Sequence, residues 1–310
     1  MLNRRHTLRW AASLLATGAL PPLVLGRDTP LPAAIINKTI PSTGEALPVI
    51  GMGTSRTFDT AASPETLARL GEVLAAFFAA GGKVIDSSPM YGEAESRVGD
   101  VLRAMPARPP LFTATKVWTQ GRDAGIAQME ASARRMGVER LDLIAVHNLV
   151  DWKTHLDTLR AWKREGRVRY VGITTSHGRY HAELLDIMRT QPLDFVQFTY
   201  NIGNREAEVA LLPTALERGI ATMINRPYAR GDLFGAVKGQ PLPALAAELG
   251  CASWGQFFLK FIAGHPAVTC IIPATSKPHH MLDNMGANTG ALPDETQRAE
   301  MLRKFESLAG

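Results

Sequence analysis

The sequence predicts an α/β protein: a (β/α)8 TIM barrel with an N-terminal β-hairpin and a C-terminal extra helix. Three observations carry that expectation. Eight short apolar runs, counted from Val49, alternate with segments of helical periodicity, and such alternation calls for a parallel sheet. The runs are apolar throughout, as strands covered on both faces must be. The rival doubly wound sheet would carry a glycine fingerprint after an early strand. No G-x-G-x-x-G occurs in this chain, and Gly51-Met52-Gly53 is too short a piece of one. No interdomain linker stands out, so one barrel domain is expected over residues 34–310, in keeping with the size of that fold.

Taken in order, Ala34–Ile40 and Leu47–Ile50 are apolar runs joined by Pro41-Ser42-Thr43-Gly44, a hairpin signal. Ser63-Pro64-Glu65 opens a helix with a capping serine, a proline at its first position and an acid in its first turn. Leu67, Leu70, Val73, Leu74 and Phe77 then lie on one face, and Gly81-Gly82 stop the helix. The strand Lys83–Asp86 follows. A helix near Glu95–Met105 leads to the strand Leu111–Val117, and one near Asp123–Met136 to Leu141–Val146. Trp152–Arg164 precedes Val168–Ile173, His181–Arg189 precedes Asp194–Phe198, and Glu206–Arg218 precedes Ile220–Asn225. Trp254–Ala263 precedes Val268–Ile272, and helices near Pro278–Met285 and Pro293–Leu308 finish the chain.

Composition is that of an ordinary globular protein, with 45% hydrophobic and 20% charged residues. The net charge is +5, but three of those charges are Arg4, Arg5 and Arg9 in a stretch, 1–26, that contains no acid. No dense run of Lys or Arg elsewhere suggests a nucleic-acid face. The apolar segment Trp10–Leu20 is too short to span a bilayer and suits the core of a signal peptide. Arg4-Arg5 just before it resembles a twin-arginine export signal, with Asn3 and Thr7 departing from the usual pattern. The expectation is cleavage after Gly26, delivery to the periplasm by the twin-arginine machinery and no membrane anchor afterwards; a tail or an uncleaved anchor is the alternative. Cys251 and Cys270 show no metal-ligand spacing. Export would permit their oxidation, but the plainer reading is two buried free thiols.

The chemistry gathers at strand ends, where such a barrel builds its active site. Asp86, Lys116 and His147 end the second, third and fourth strands, and Tyr91 hangs in the loop after Asp86. A tyrosine hydroxyl near pKa ~10 is a poor acid at neutrality. Lys116 would lower that value by favouring the phenolate, Asp86 would keep Lys116 charged and oriented, and His147 would donate to a carbonyl oxygen. Such a set can deliver a proton to C=O when a cofactor supplies hydride. Each residue also has a bland reading: a rim ion pair, a turn tyrosine and a strand-end histidine.

The segments D-S-S-P-M-Y-G-E-A-E, T-A-T-K-V-W and D-L-I-A-V-H-N, with P-V-I-G-M-G-T before them, resemble the aldo/keto reductases from about Ile36 to the C-terminus. The resemblance implies Asp86, Tyr91, Lys116 and His147 as a catalytic tetrad, Tyr91 as general acid, NADPH as hydride donor and a small carbonyl compound as substrate. It also implies cofactor contacts at Gly53 and Thr54.

Ile271–Pro278 joins the eighth strand to a helix beginning at Pro278, and a helix N-terminus there is an anion site. The stretch resembles the family segment that holds the adenosine 2′-phosphate. Thr275, Ser276 and Lys277 are then expected at that phosphate, with His280 and Asn284 against the adenine end. Gln197 matches the family glutamine that binds the nicotinamide carboxamide. Thr174 and Thr175 stand where the family has Ser-Asn, and Thr175 cannot supply both functions of an amide. Arg226 replaces an aromatic residue that stacks on nicotinamide, and a planar guanidinium can also stack. Arg230-Gly231-Asp232-Leu233 is expected as a loop passing the pyrophosphate, with Gly231 and Leu233 in contact. Phe58, Met90 and Trp118 are expected to wall an apolar substrate pocket. The function expected is NADPH-dependent reduction of an aldehyde or ketone; a non-enzymatic NADPH-binding or redox-sensing subunit is the alternative. No G-x-S-x-G or H-E-x-x-H supports a hydrolase, no metal site is expected, and His279 and His280 are expected to point apart on their helix.

Overall fold

The computed structural model describes residues 34–107, 109–176 and 178–309; the leader expected over 1–26 lies outside them. The antiparallel hairpin is β1 (Asn37–Thr39) with β2 (Ala46–Pro48), Lys38 opposite Leu47. Eight parallel strands follow: β3 (Met52–Gly53), β4 (Val84–Asp86), β5 (Phe112–Val117), β6 (Leu141–His147), β7 (Val168–Thr174), β8 (Phe195–Thr199), β9 (Ala221–Asn225) and β10 (Cys270–Ile271), each paired with the next. Bridges from Ile50 to Ile271 and from Gly53 to Ala274 join the two outer strands and close the barrel.

The helices are α1 (Pro64–Ala79), α2 (Ala94–Ala104), α3 (Arg122–Met136), α4 (Trp152–Arg164), α5 (His181–Thr190), α6 (Leu211–Arg218), α7 (Asp232–Ala236), α8 (Ala244–Glu248), α9 (Trp254–Ala263), α10 (Pro278–Gly286) and α11 (Glu295–Ala309). Ser63 caps α1 as expected, its Oγ accepting from Thr66 N at 3.1 Å. Gly82 follows because a Cβ there would stand 2.3 Å from the Phe77 ring. Among the described residues no helix is long and apolar enough to cross a membrane.

Alternation along the strands separates two cores. Val84, Phe112, Ala114, Leu143, Tyr170, Phe195, Ala221, Met223, Cys270 and Ile272 point into the barrel, joined by Ile40 and Leu47 from the hairpin. Ile85, Val117, Ile144, Val146, Val171, Ile173, Val196, Phe198 and Ile224 point outward under the helices. The interior is therefore packed solid below its mouth, and the same parity decides which residues line that mouth.

Three boundaries differ from expectation. The first barrel strand is Met52–Gly53, not a continuation from Val49, because Pro48 ends the hairpin strand and Gly51 turns the chain onto β10. Residues 206–218 do not form one helix: a 3₁₀ turn at Glu206–Glu208 is followed by α6. Pro213 has no N–H to give and would clash with the carbonyl of residue 209 in a continuous helix, so the helix restarts at Leu211. After β9 the expected loop contains two short helices, α7 and α8. Cys251 and Cys270 are buried free thiols, and burial pushes them up to about 11 and about 12.

Candidate active site

The inward parity set by Val84, Phe112, Leu143, Tyr170, Phe195 and Ala221 also falls on Asp86, Lys116, His147, Thr174, Gln197, Thr199 and Asn225. Each lies two or four residues beyond a core side chain on its own strand, so the last inward positions form a polar ring over an apolar floor. Register brings the strands level: Lys116 pairs with Ala145, His147 with Thr174, and Thr174 with Gln197.

Lys116 is fully buried, and its Nζ donates to both Asp86 oxygens at 2.9 and 2.7 Å and to the Ser87 carbonyl at 2.6 Å. Burial opposes both charges and pushes Asp86 upward. For Lys116 the carboxylate, with Tyr91, outweighs burial and holds the ammonium above its ordinary range. With three oxygen acceptors around Nζ, the pair stays ionic.

Tyr91 reaches the ring from a tight turn. Its N–H donates to Ser88 O at 3.0 Å, and Gly92 follows at φ +55°. A Cβ on Gly92 would stand 2.2 Å from Asp59 Oδ1, which accepts from Glu93 N. The Lys116 Nζ lies 5.2 Å from the Tyr91 ring centroid, and the His147 ring meets Tyr91 edge-on at 5.9 Å. One expectation is overturned here. Tyr91 is raised, not lowered: burial outweighs Lys116, and the Asp86 charge adds to burial. The phenol therefore keeps its proton throughout the neutral range. His147 moves the other way, lowered to about 2 by burial and by Lys116, and is a neutral imidazole. Its Nδ1 lies 3.0 Å from Ser88 Oγ.

The expected cofactor residues form two groups. Gln197 donates to Asp86 Oδ1 at 3.1 Å and accepts from Thr174 Oγ1 at 2.9 Å, which ties it to the Asp86–Lys116 pair. Thr175 Oγ1 is buried with no hydrogen-bond partner among the described residues. Its carbonyl accepts from Asn225 Nδ2, while Asn225 Oδ1 accepts from Thr199. An orphan hydroxyl beside two amides suits a carboxamide ligand. Thr54 braces the floor by donating to Asp86 O and Ser87 Oγ, and Gly53 sits where a Cβ would meet Ile272 O at 2.9 Å.

The second group follows β9 and β10. Arg226, Ala229, Arg230 and Gly231 all take left-handed backbone, at φ of 51°, 48°, 63° and 106°. Arg226 is half-buried, lowered by burial and by Arg230, and it senses Tyr91. Lys277 caps α10 with its side chain exposed, and Thr275 Oγ1 accepts from Lys277 N at 3.1 Å. Ser276 and His280 lie on the same rim, and Asn284 Oδ1 accepts from Tyr228 OH at 2.6 Å. An exposed ammonium with no partner among the described residues, beside the N-terminus of α10, fits a phosphate.

Three expectations are corrected. Phe58 is completely buried in the helix-side core, so it walls no pocket; Met90 and Trp118 are exposed at the rim, Trp118 held by Gln128 through 2.6 and 3.1 Å bonds. Leu233 is a buried α7 residue facing Gly203, not a loop residue, leaving only backbone for a ligand. The His279 and His280 rings lie 4.3 Å apart rather than pointing apart. Sequence reasoning also missed Ser88, Ser87 and Asn225. The serine doublet after Asp86 and the inward parity of Asn225 were the signals.

Fold and site together define a class: a (β/α)8 barrel with an acid, an ammonium, a phenol and a neutral imidazole converging at its C-terminal mouth. The chain belongs to the aldo/keto reductase family, whose sequence pattern matches residues 49–300; it is a family of oxidoreductases acting on small molecules. An aldo-keto reductase of Mycobacterium sp. strain JLS is 30% identical over 197 residues, covering 61% of this chain and 67% of that one. The aldo-keto reductase str7 of Strobilurus tenacellus is 27% identical over 264 residues, covering 72% and 77%. An aldo-keto reductase of Klebsiella pneumoniae, solved in complex with NADPH, superposes with a TM-score of 0.70 at 22% identity, covering 87% of this chain and 96% of that one.

Proposed function

We propose that the protein reduces an aldehyde or ketone to an alcohol with NADPH, Tyr91 giving the proton to the carbonyl oxygen. The observation that carries this reading is the Asp86–Lys116 pair set beside a phenol that keeps its proton. When bound there, NADPH would be the source of hydride for the carbonyl carbon. Gln197, Thr174 and Thr175 would hold the carboxamide, Arg226 would lie against the nicotinamide, and Thr275, Ser276 and Lys277 would hold the 2′-phosphate. That Klebsiella pneumoniae relative was solved with NADPH, which supports the cofactor assignment.

The chain's own steps follow from the geometry. His147, neutral and edge-on to Tyr91, aligns the carbonyl oxygen through a hydrogen bond. The Tyr91 hydroxyl donates its proton to that oxygen as negative charge develops on it. Lys116, held in place by Asp86 and Ser87 O, stabilises the phenolate that remains, and solvent returns the proton. The charge on Lys116 is worth most at that moment, in a water-poor site.

Tyr91→Phe removes the proton and keeps the ring. It should lower kcat by at least about a hundredfold while NADPH binding, read by fluorescence titration, stays within a factor of two or so. Wild-type turnover in Tyr91→Phe across a panel of carbonyls would overturn the reading. We also propose export of the folded protein through the twin-arginine route to the periplasm. Changing Arg4 and Arg5 to lysine should hold the protein in the cytoplasmic fraction; unchanged export would contradict it.

A further inference from the structure

Ser88 is absent from the tetrad, yet it is the described residue whose side chain bonds to His147. Its hydroxyl is fully buried, 3.0 Å from His147 Nδ1. A neutral imidazole carries one N–H and one bare nitrogen, and the partner of one nitrogen decides which is which. The hydroxyl oxygen also accepts from Met90 N–H at 3.3 Å. Among the described residues Nδ1 is the one acceptor within reach of the hydroxyl proton.

We propose that Ser88 is a positioning residue that donates to His147 Nδ1 and thereby fixes the hydrogen on Nε2, making His147 a donor to the substrate's carbonyl oxygen. His147 Nε2 bonds to no described residue, and it is not among the buried polar atoms left without a partner, so it is free to meet a ligand at the mouth. The opposite tautomer would present a bare nitrogen to a carbonyl oxygen, which repels it. Aspartate is the usual partner that fixes a histidine tautomer, and it would do so by accepting from Nδ1–H. A serine donating to bare Nδ1 gives the reverse assignment, and it adds no charge beside the buried Asp86–Lys116 pair.

The turn that holds Tyr91 also holds Ser88: the Ser88 carbonyl accepts from Tyr91 N at 3.0 Å while its side chain holds His147. One residue thus sets the position of the proton donor by its backbone and the polarity of the aligning donor by its side chain. This inference rests on the carbonyl-reductase reading for its function, but the tautomer itself does not.

The test therefore has two arms, both on the full chain with NADPH bound. In the first, nitrogen NMR of protein labelled in its histidine rings reads each nitrogen of His147 directly. The expected result is a bare Nδ1 and a protonated Nε2, with mixing of the two forms in Ser88→Ala. A protonated Nδ1 in the wild type overturns the proposal whether or not any carbonyl is reduced. In the second arm, Ser88→Ala should lower kcat/KM about tenfold to a hundredfold with NADPH affinity unchanged. Ser88→Thr, which keeps the hydroxyl, should recover most of that loss. Equal activity in Ser88→Ala and wild type overturns the positioning role, whereas a wild type that turns over no carbonyl overturns the functional reading instead.

Discussion

Replacing His147 with glutamine should remove a large part of the protein's acid sensitivity. His147 is 2% exposed and lowered to about 2 by burial and by Lys116, whereas an unfolded histidine titrates near ~6.5. Between those values the unfolded chain binds a proton that the folded chain refuses, so stability falls as pH is lowered through this window. At pH 4.5 the group lies about 2 units below its unfolded value, which at roughly 1.36 kcal/mol per unit gives a loss of about 2.5 kcal/mol relative to pH 7. In a barrel of this size that is a fall of roughly 5 °C in Tm. The assay is urea denaturation of wild type and His147→Gln at pH 7 and pH 4.5. The measured quantity is the difference between the two pH dependences. His265, also lowered to about 4 by burial, then by Arg298, is present in both proteins and cancels. Equal losses in the two proteins would refute the reasoning, since they would mean that His147 protonates without cost in the fold.

Two further outcomes follow. Lys116→Met strands the Asp86 carboxylate in the interior and should cost about 3–5 kcal/mol, while adding Asp86→Asn should recover a substantial part; additivity of the two in denaturation would deny the ion pair seen at 2.7 Å. Lys277→Ala should weaken NADPH about tenfold, one charge-assisted contact, and leave NADH unchanged in the same titration; equal weakening of both would move the 2′-phosphate away from the start of α10.

Much of this site is legible because a strand has period two. Asp86, Lys116, His147 and Gln197 share parity with the apolar residues before them, and the barrel's C-terminal ends do the rest. Lys277 was legible from a helix start marked by Pro278. What the sequence does not carry is burial, and burial sets the sign at Tyr91. A nearby ammonium argues for a lowered phenol, but the desolvation that outweighs it depends on elements far apart in sequence. Phe58 failed for a related reason: an aromatic residue near the mouth reads as a pocket wall until packing turns it into the core. The break before α6 was in the sequence, at Pro213, and went unread because Leu211 and Leu212 continue the apolar face. The hydroxyl of Ser88 was invisible in another way, since its partner stands 59 residues away.

The central claim is that hydride crosses to a carbonyl carbon at this mouth, and a labelled cofactor tests it most directly. With NADPH carrying deuterium at C4 of the nicotinamide, the alcohol product should bear deuterium on its carbinol carbon, as read by mass spectrometry. Tyr91→Phe should form at least about a hundredfold less of that alcohol in the same time, and what it forms should carry the same label, because Tyr91 gives the proton and not the hydride. Tight NADPH binding with no deuterated alcohol from any aldehyde or ketone would contradict the account and favour a cofactor-sensing barrel.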